Sequence, residues 1–110
     1  MPIANCLMTK ALSKSSASLI DRWAEAAGIS SEHMTINLIT CQEQLGVSYQ
    51  VMATLLLPSM WSNSSISAIQ LGLAKALAEH FDLSLNEVHV ITHIIESGRV
   101  VESGHELTWS

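Results

Sequence analysis

Apolar residues recur along this chain with two different periods, and the switches between them outline the fold. Pro2 to Met8 is mostly apolar and strand-compatible, which predicts a strand. Leu19, Ile20, Trp23, Ala26 and Ala27 then recur at spacings of three and four, with Asp21, Arg22 and Glu25 off that stripe. This spacing predicts an amphipathic helix. Ser13 to Ser16 offer N-caps before it, and Gly28 is placed to close it as the residue after the last turn. His33 to Thr40 sets Met34, Ile36 and Leu38 against Thr35 and Asn37, with Ile39 breaking the alternation, so a strand buried on at least one face is expected.

The second half repeats the order. Gln42 to Gly46 reads as a polar loop and Tyr49 to Leu57 as a strand stopped by Pro58. Ser62 to Ser65 are again N-cap candidates, and Ile66, Ile69, Leu73, Leu77 and Phe81 make a helical stripe. Gly72 sits inside that helix, as a close-packing position requires. Glu87 to Ile95 predicts another strand, and Gly98 and Gly104 punctuate a tail, Arg99 to Trp109, that suits a hairpin.

The halves also resemble each other in sequence. Ala24-Glu25-Ala26-Ala27-Gly28-Ile29-Ser30 parallels Ala78-Glu79-His80-Phe81-Asp82-Leu83-Ser84, which sets Met34 and Ile36 opposite Val88 and Val90. The expected architecture is α+β, with duplicated β-α-β units in a four-stranded mixed sheet, two helices on one face, and a short C-terminal strand or hairpin. Residues 1-110 are read as a single domain, with pseudo-repeats at about 2-41 and 47-95 and a tail at 96-110. Such a sheet has a second, uncovered face, which copies of the same chain would cover.

Composition narrows the partners. Hydrophobic residues make up 48% of the 110-residue chain and charged residues only 14%, so part of the surface is expected to be covered by other subunits. The net charge of −5, with only 5 Lys and Arg, argues against nucleic acid. The Leu55-Leu56-Leu57 run is far too short to span a bilayer, and Met1 to Cys6 lacks the pattern of a secretory signal. A cytoplasmic protein without membrane or nucleic-acid partners is expected. Cys6 and Cys41 lack metal or redox spacing and are read as free thiols.

Pro2 is the first candidate for chemistry. Methionine before proline is normally removed, and proline at a free terminus carries a titratable secondary amine. An α-amine titrates at about 7.7–8.0, and apolar surroundings lower that by disfavouring the cation. A neutral amine near working pH suits general-base catalysis. Met-Pro openings are common in themselves; here the proline starts a strand that opens a duplicated β-α-β chain.

Pro2-Ile3-Ala4 resembles the opening of 4-oxalocrotonate tautomerase. Val88-His89-Val90-Ile91 with Gly98, Val100 and Gly104 resembles the end of that short subunit, and Leu77-Ala78-Glu79 to Val90 is similar to macrophage migration inhibitory factor. The chain thus resembles the tautomerase superfamily over nearly its whole length. The resemblance implies a homotrimer with helices outside, a pocket around Pro2 at a subunit boundary, and a cofactor-independent keto-enol or double-bond isomerisation with Pro2 as the base. It implies a small-molecule carboxylate or enol as substrate. A substrate-binding arginine is matched by His89 and an aromatic wall residue by Val100. A second arginine falls on Leu12, with Lys10 or Lys14 nearby; a lysine after the first helix falls on Ile29.

Arg99, beside Val100, is the remaining cation of interest. Its guanidinium could clamp a carboxylate, or it is an exposed tail residue paired with Glu96 or Glu102. His89 either donates to a carbonyl oxygen or is a half-buried strand histidine. With His93 it makes a poor chelate, because strand residues four apart are about 13 Å distant. Two alternatives stand beside the isomerase: a superfamily hydrolase or decarboxylase using a protonated Pro2, and a non-catalytic trimeric binding or signalling protein.

Overall fold

A computed structural model describes residues 1–9 and 17–109. Lys10, Leu12, Lys14 and the expected caps at Ser13 to Ser16 lie outside the described residues. Strand β1 (Ile3–Met8) leads to helix α1 (Leu19–Ala27) and strand β2 (Thr35–Thr40), which pairs with β1 in parallel. Strand β3 (Val51–Pro58), helix α2 (Asn63–His80) and strand β4 (Val88–Ile95) form a second parallel unit, with one 3-10 turn at Leu85–Glu87. Strands β1 and β3 pair antiparallel, so the sheet order is β2-β1-β3-β4. The tail forms its own hairpin, β5 (Val100–Glu102) and β6 (His105–Leu107). This is the expected mixed sheet with a C-terminal hairpin.

The side-chain alternation of the strands separates two faces. Ala4, Cys6 and Met8 of β1 and Val51, Ala53, Leu55 and Leu57 of β3 are buried beneath the helices. From α1 they meet Leu19, Trp23 and Ala27; from α2 they meet Ile69, Leu73, Ala76 and Leu77. Trp23 is fully buried, and its indole N–H donates to the Ile69 carbonyl at 3.0 Å. That bond satisfies a donor that would be costly to bury alone. The α1 stripe is rotated slightly from expectation: Ala24 is buried and Ala26 is exposed.

The ends of both helices follow local chemistry. The Ser62 hydroxyl accepts the Ser65 backbone N–H at 3.2 Å and caps α2. Gly28 closes α1 in the left-handed conformation, as expected. In the hairpin, Ser103 and Gly104 both have positive φ, 52° and 79°, as a two-residue type I′ turn needs.

Gly72 sets how closely the helices approach. A Cβ there would lie 2.9 Å from the Ala27 backbone nitrogen, a contact that only a backbone shift can relieve. The other face of the sheet carries three rows read from the register: Thr35–Ile3–Leu56–His93, Asn37–Asn5–Thr54–Ile91 and Ile39–Leu7–Met52–His89. Leu7, Ile39 and Ile91 are 40%, 45% and 47% exposed in a single chain, so this face lacks a cover. Among the described residues, no helix is long and apolar enough to cross a membrane.

Two stability predictions follow from this packing. Gly72→Ala overpacks the helix crossing and should lower unfolding stability by about 1–3 kcal/mol in urea denaturation. Burial pushes the Cys6 thiol up to about 12 from 9.0. The unfolded chain ionises this thiol first, so the native state loses stability as pH rises above the unfolded value. Wild-type stability should therefore fall between pH 9 and 11, by up to about 1.4 kcal/mol per pH unit from this group. Cys6→Ala should be less stable at neutral pH but flatter over that window.

Candidate functional site

The start of the chain is held by strand pairing. The Thr35 N–H donates to the Pro2 carbonyl at 2.9 Å, so the first residue of β2 pins the residue before β1. Pro2 is buried, and its alternation places it on the helix-facing side with Ala4 and Cys6. Met1 is only partly covered and opens onto a cleft of about 540 Å³. One wall is Ile3 with Glu32, His33 and Thr35, because β2 begins beside Ile3 and brings the preceding loop with it. The hairpin supplies the opposite wall through Val100, Glu102 and Leu107.

Two effects act on the Met1 amine at this cleft. Partial burial disfavours its ammonium form and is the larger, so its pKa is lowered from 8.0; the Glu102 carboxylate opposes this by favouring the cation. The cleft therefore combines a desolvated amine with a nearby negative charge.

A second cavity, about 470 Å³, lies at the other end of the sheet, where β1 stops and β3 and β4 begin. Thr9, Cys41, Glu43, Tyr49, Gln50 and Glu87 are among its lining residues. The His89 ring lies 4.6 Å from the Tyr49 ring, tilted at 40°. His89 thus belongs to this end, in the Leu7 and Met52 row, whereas His93 shares the row of Ile3. The two rows are four residues apart along β3, about 13 Å. Within one copy of the chain His89 does not meet Pro2.

Val100 is brought to the Met1 cleft, whereas Arg99, the residue before it, is not among the lining residues. The Arg99 side chain is exposed, and its backbone N–H donates to the Glu96 carbonyl at 3.2 Å. The hairpin is tethered by Trp109, whose backbone N–H donates to the Ser97 hydroxyl at 2.7 Å and whose indole N–H donates to the Ser59 hydroxyl at 2.9 Å. Cys6 and Cys41 are both free thiols. Glu32 and Glu102 were not marked as site residues by spacing or motif. Only the parallel register of β1 with β2 and the fold of the tail bring them to the cleft.

No family model and no curated protein matches this sequence. Solved structures do. The wild-type asymmetric trimer of a fused 4-OT is similar with a TM-score of 0.78 at 17% identity, over 94% of this chain and 94% of that one. A member of the cis-3-chloroacrylic acid dehalogenase family has a TM-score of 0.78 at 13% identity, over 96% of this chain and 82% of that one. Macrophage migration inhibitory factor of Oncomelania hupensis has a TM-score of 0.72 at 16% identity, over 98% of this chain and 82% of that one. The chain has the tautomerase-superfamily fold. The match in architecture runs through all of the sheet and both helices, so the cleft at the chain start can be read in the setting of a tautomerase fold.

Removing the opposing carboxylate should make the amine's depression larger. In Glu102→Gln the terminal amine should titrate below its wild-type value, measured by nitrogen-15 NMR titration of the same N-terminal residue in both proteins.

Proposed function

We propose that this tautomerase-fold protein is a cofactor-independent isomerase of a small oxo-acid or enol, acting through Pro2 once Met1 is removed. The burial of Pro2 beside an accessible cleft is the observation that carries this reading. A terminal amine in such a place is desolvated, which favours the neutral base. In the enol-to-keto direction the nitrogen accepts the enol O–H proton as the O–H bond breaks, and returns a proton to carbon as the C–H bond forms. Val100 supplies an apolar wall. Arg99, or His89 from a neighbouring copy, polarises the carbonyl oxygen and stabilises the developing enolate.

The protein acts as a homotrimer in this proposal. The uncovered sheet face, with Leu7, Ile39 and Ile91 exposed, supports association, and the similar fused 4-OT is a trimer. We place its action in the cytoplasm, on a soluble small molecule. A second reading has one observation in its favour. The Glu102 carboxylate favours the charged form of the Met1 amine; acting likewise on the neighbouring Pro2 nitrogen, it would suit a superfamily hydrolase or decarboxylase using protonated Pro2. A measured Pro2 pKa well above 8 would select that second use.

The expected outcome is that mass spectrometry shows the chain without Met1, and that Pro2→Ala lowers tautomerisation of phenylenolpyruvate by about 10²–10⁴-fold, the usual contribution of a general base. Retained Met1 leaves the proline nitrogen in an amide with no base to offer. Full activity in Pro2→Ala would remove the mechanism.

A further inference from the structure

We propose that the cleft at the chain start selects an uncharged carbonyl or enol compound over a free oxo acid, and that Glu102 is the residue that sets this preference. The inference rests on the Pro2 reading and narrows its substrate class. Its basis is the composition of the cleft walls. Ile3, Met34, Val100 and Leu107 are apolar, while the charged lining residues are Glu32 and Glu102. His33 also lines the cleft, on the wall that carries Glu32.

Among the described residues of one chain, the cations stand elsewhere. Arg22 and Lys75 line a groove on the outer surface of α1 and α2 with Glu25 and Glu79. Arg99 precedes Val100 but is not among the residues that line the cleft. One guanidinium next in sequence to a lining residue stands against two carboxylates among the lining residues themselves. The base adds no positive charge either, because an amine that removes a proton must itself be neutral. A carboxylate entering the cleft would meet two like charges in partly desolvated surroundings, in a chain whose net charge of −5 already slows the approach of anions. An ester or simple ketone has no such charge and gains the apolar walls.

The closing experiment uses a matched pair, the enols of phenylpyruvate and of its methyl ester. Ketonisation is followed by loss of enol absorbance at pH 8 and low salt, with the uncatalysed rate of each compound subtracted. Wild type, Glu102→Gln and Pro2→Ala are compared. The wild type should favour the ester in kcat/KM by at least about five-fold, the effect of a single unscreened like charge at contact distance in water. Glu102→Gln should narrow the ratio by a similar factor, through faster turnover of the acid with the ester little changed. Preference of the wild type for the acid, or an unchanged ratio in Glu102→Gln, overturns this inference and leaves the Pro2 reading standing. Absence of Pro2-dependent turnover of either compound overturns both.

Discussion

Strand β1 is hydrogen-bonded on both sides, parallel to β2 and antiparallel to β3, and everything else in the molecule depends on that central position. A strand with neighbours on both edges must bury one face completely. Its helix-facing residues are accordingly Ala4, Cys6 and Met8, all with almost no exposure. The same pairing joins two β-α-β units into one sheet. It also fixes the chain start, since Thr35 cannot extend the ladder to the Pro2 carbonyl without drawing the Glu32 and His33 loop alongside. Backbone pairing thus makes the cleft, and the side chains that line it are determined by register.

The helix crossing works in the same way at a distance. Gly72 lets α2 lie against the backbone of Ala27, and both helices settle on the buried side chains of the inner strands. Trp23 then fills the space between the helices and the sheet, and its one polar atom is spent on the Ile69 carbonyl. The two fixed points, strand pairing at Pro2 and helix contact at Gly72, hold a cleft open at one end of a core that has no room to collapse into it.

Much of this was legible in the residues. The apolar run of Tyr49 to Leu57 stopped by Pro58 and the three-to-four spacing of Ile66 to Phe81 are strong local signals, and both elements stand within a few residues of where the sequence places them. Gly28, Ser62 and Gly104 marked ends and turns because each has a single geometric reason to be where it is. What could not be read was which residues from distant parts of the chain would share a surface. Glu32 and Glu102 come to one cleft through strand register and the fold of the hairpin, and neither leaves a trace in local spacing. His89 illustrates the same gap. Its place on the last long strand is visible in sequence, but its height along that strand, level with Met52 and beside Tyr49, is a property of pairing. The α1 stripe shows a smaller version, with Ala24 in and Ala26 out. Alanine is small enough that tertiary packing decides which of the two turns inward.

The middle row of the uncovered sheet face has its own consequence. Asn37 donates its amide N–H to the Asn5 side-chain oxygen at 2.8 Å, between rows that carry Leu56 on one side and Leu7 with Ile39 on the other. Two amides offer more donors and acceptors than one bond uses. Any surface that seals this face takes those groups away from water, and must return hydrogen bonds at that height or forfeit much of what the surrounding leucines and isoleucines contribute. Grease alone would let a covering surface slide; the amide pair makes one alignment cheaper than its neighbours, and so turns a sticky face into a keyed one.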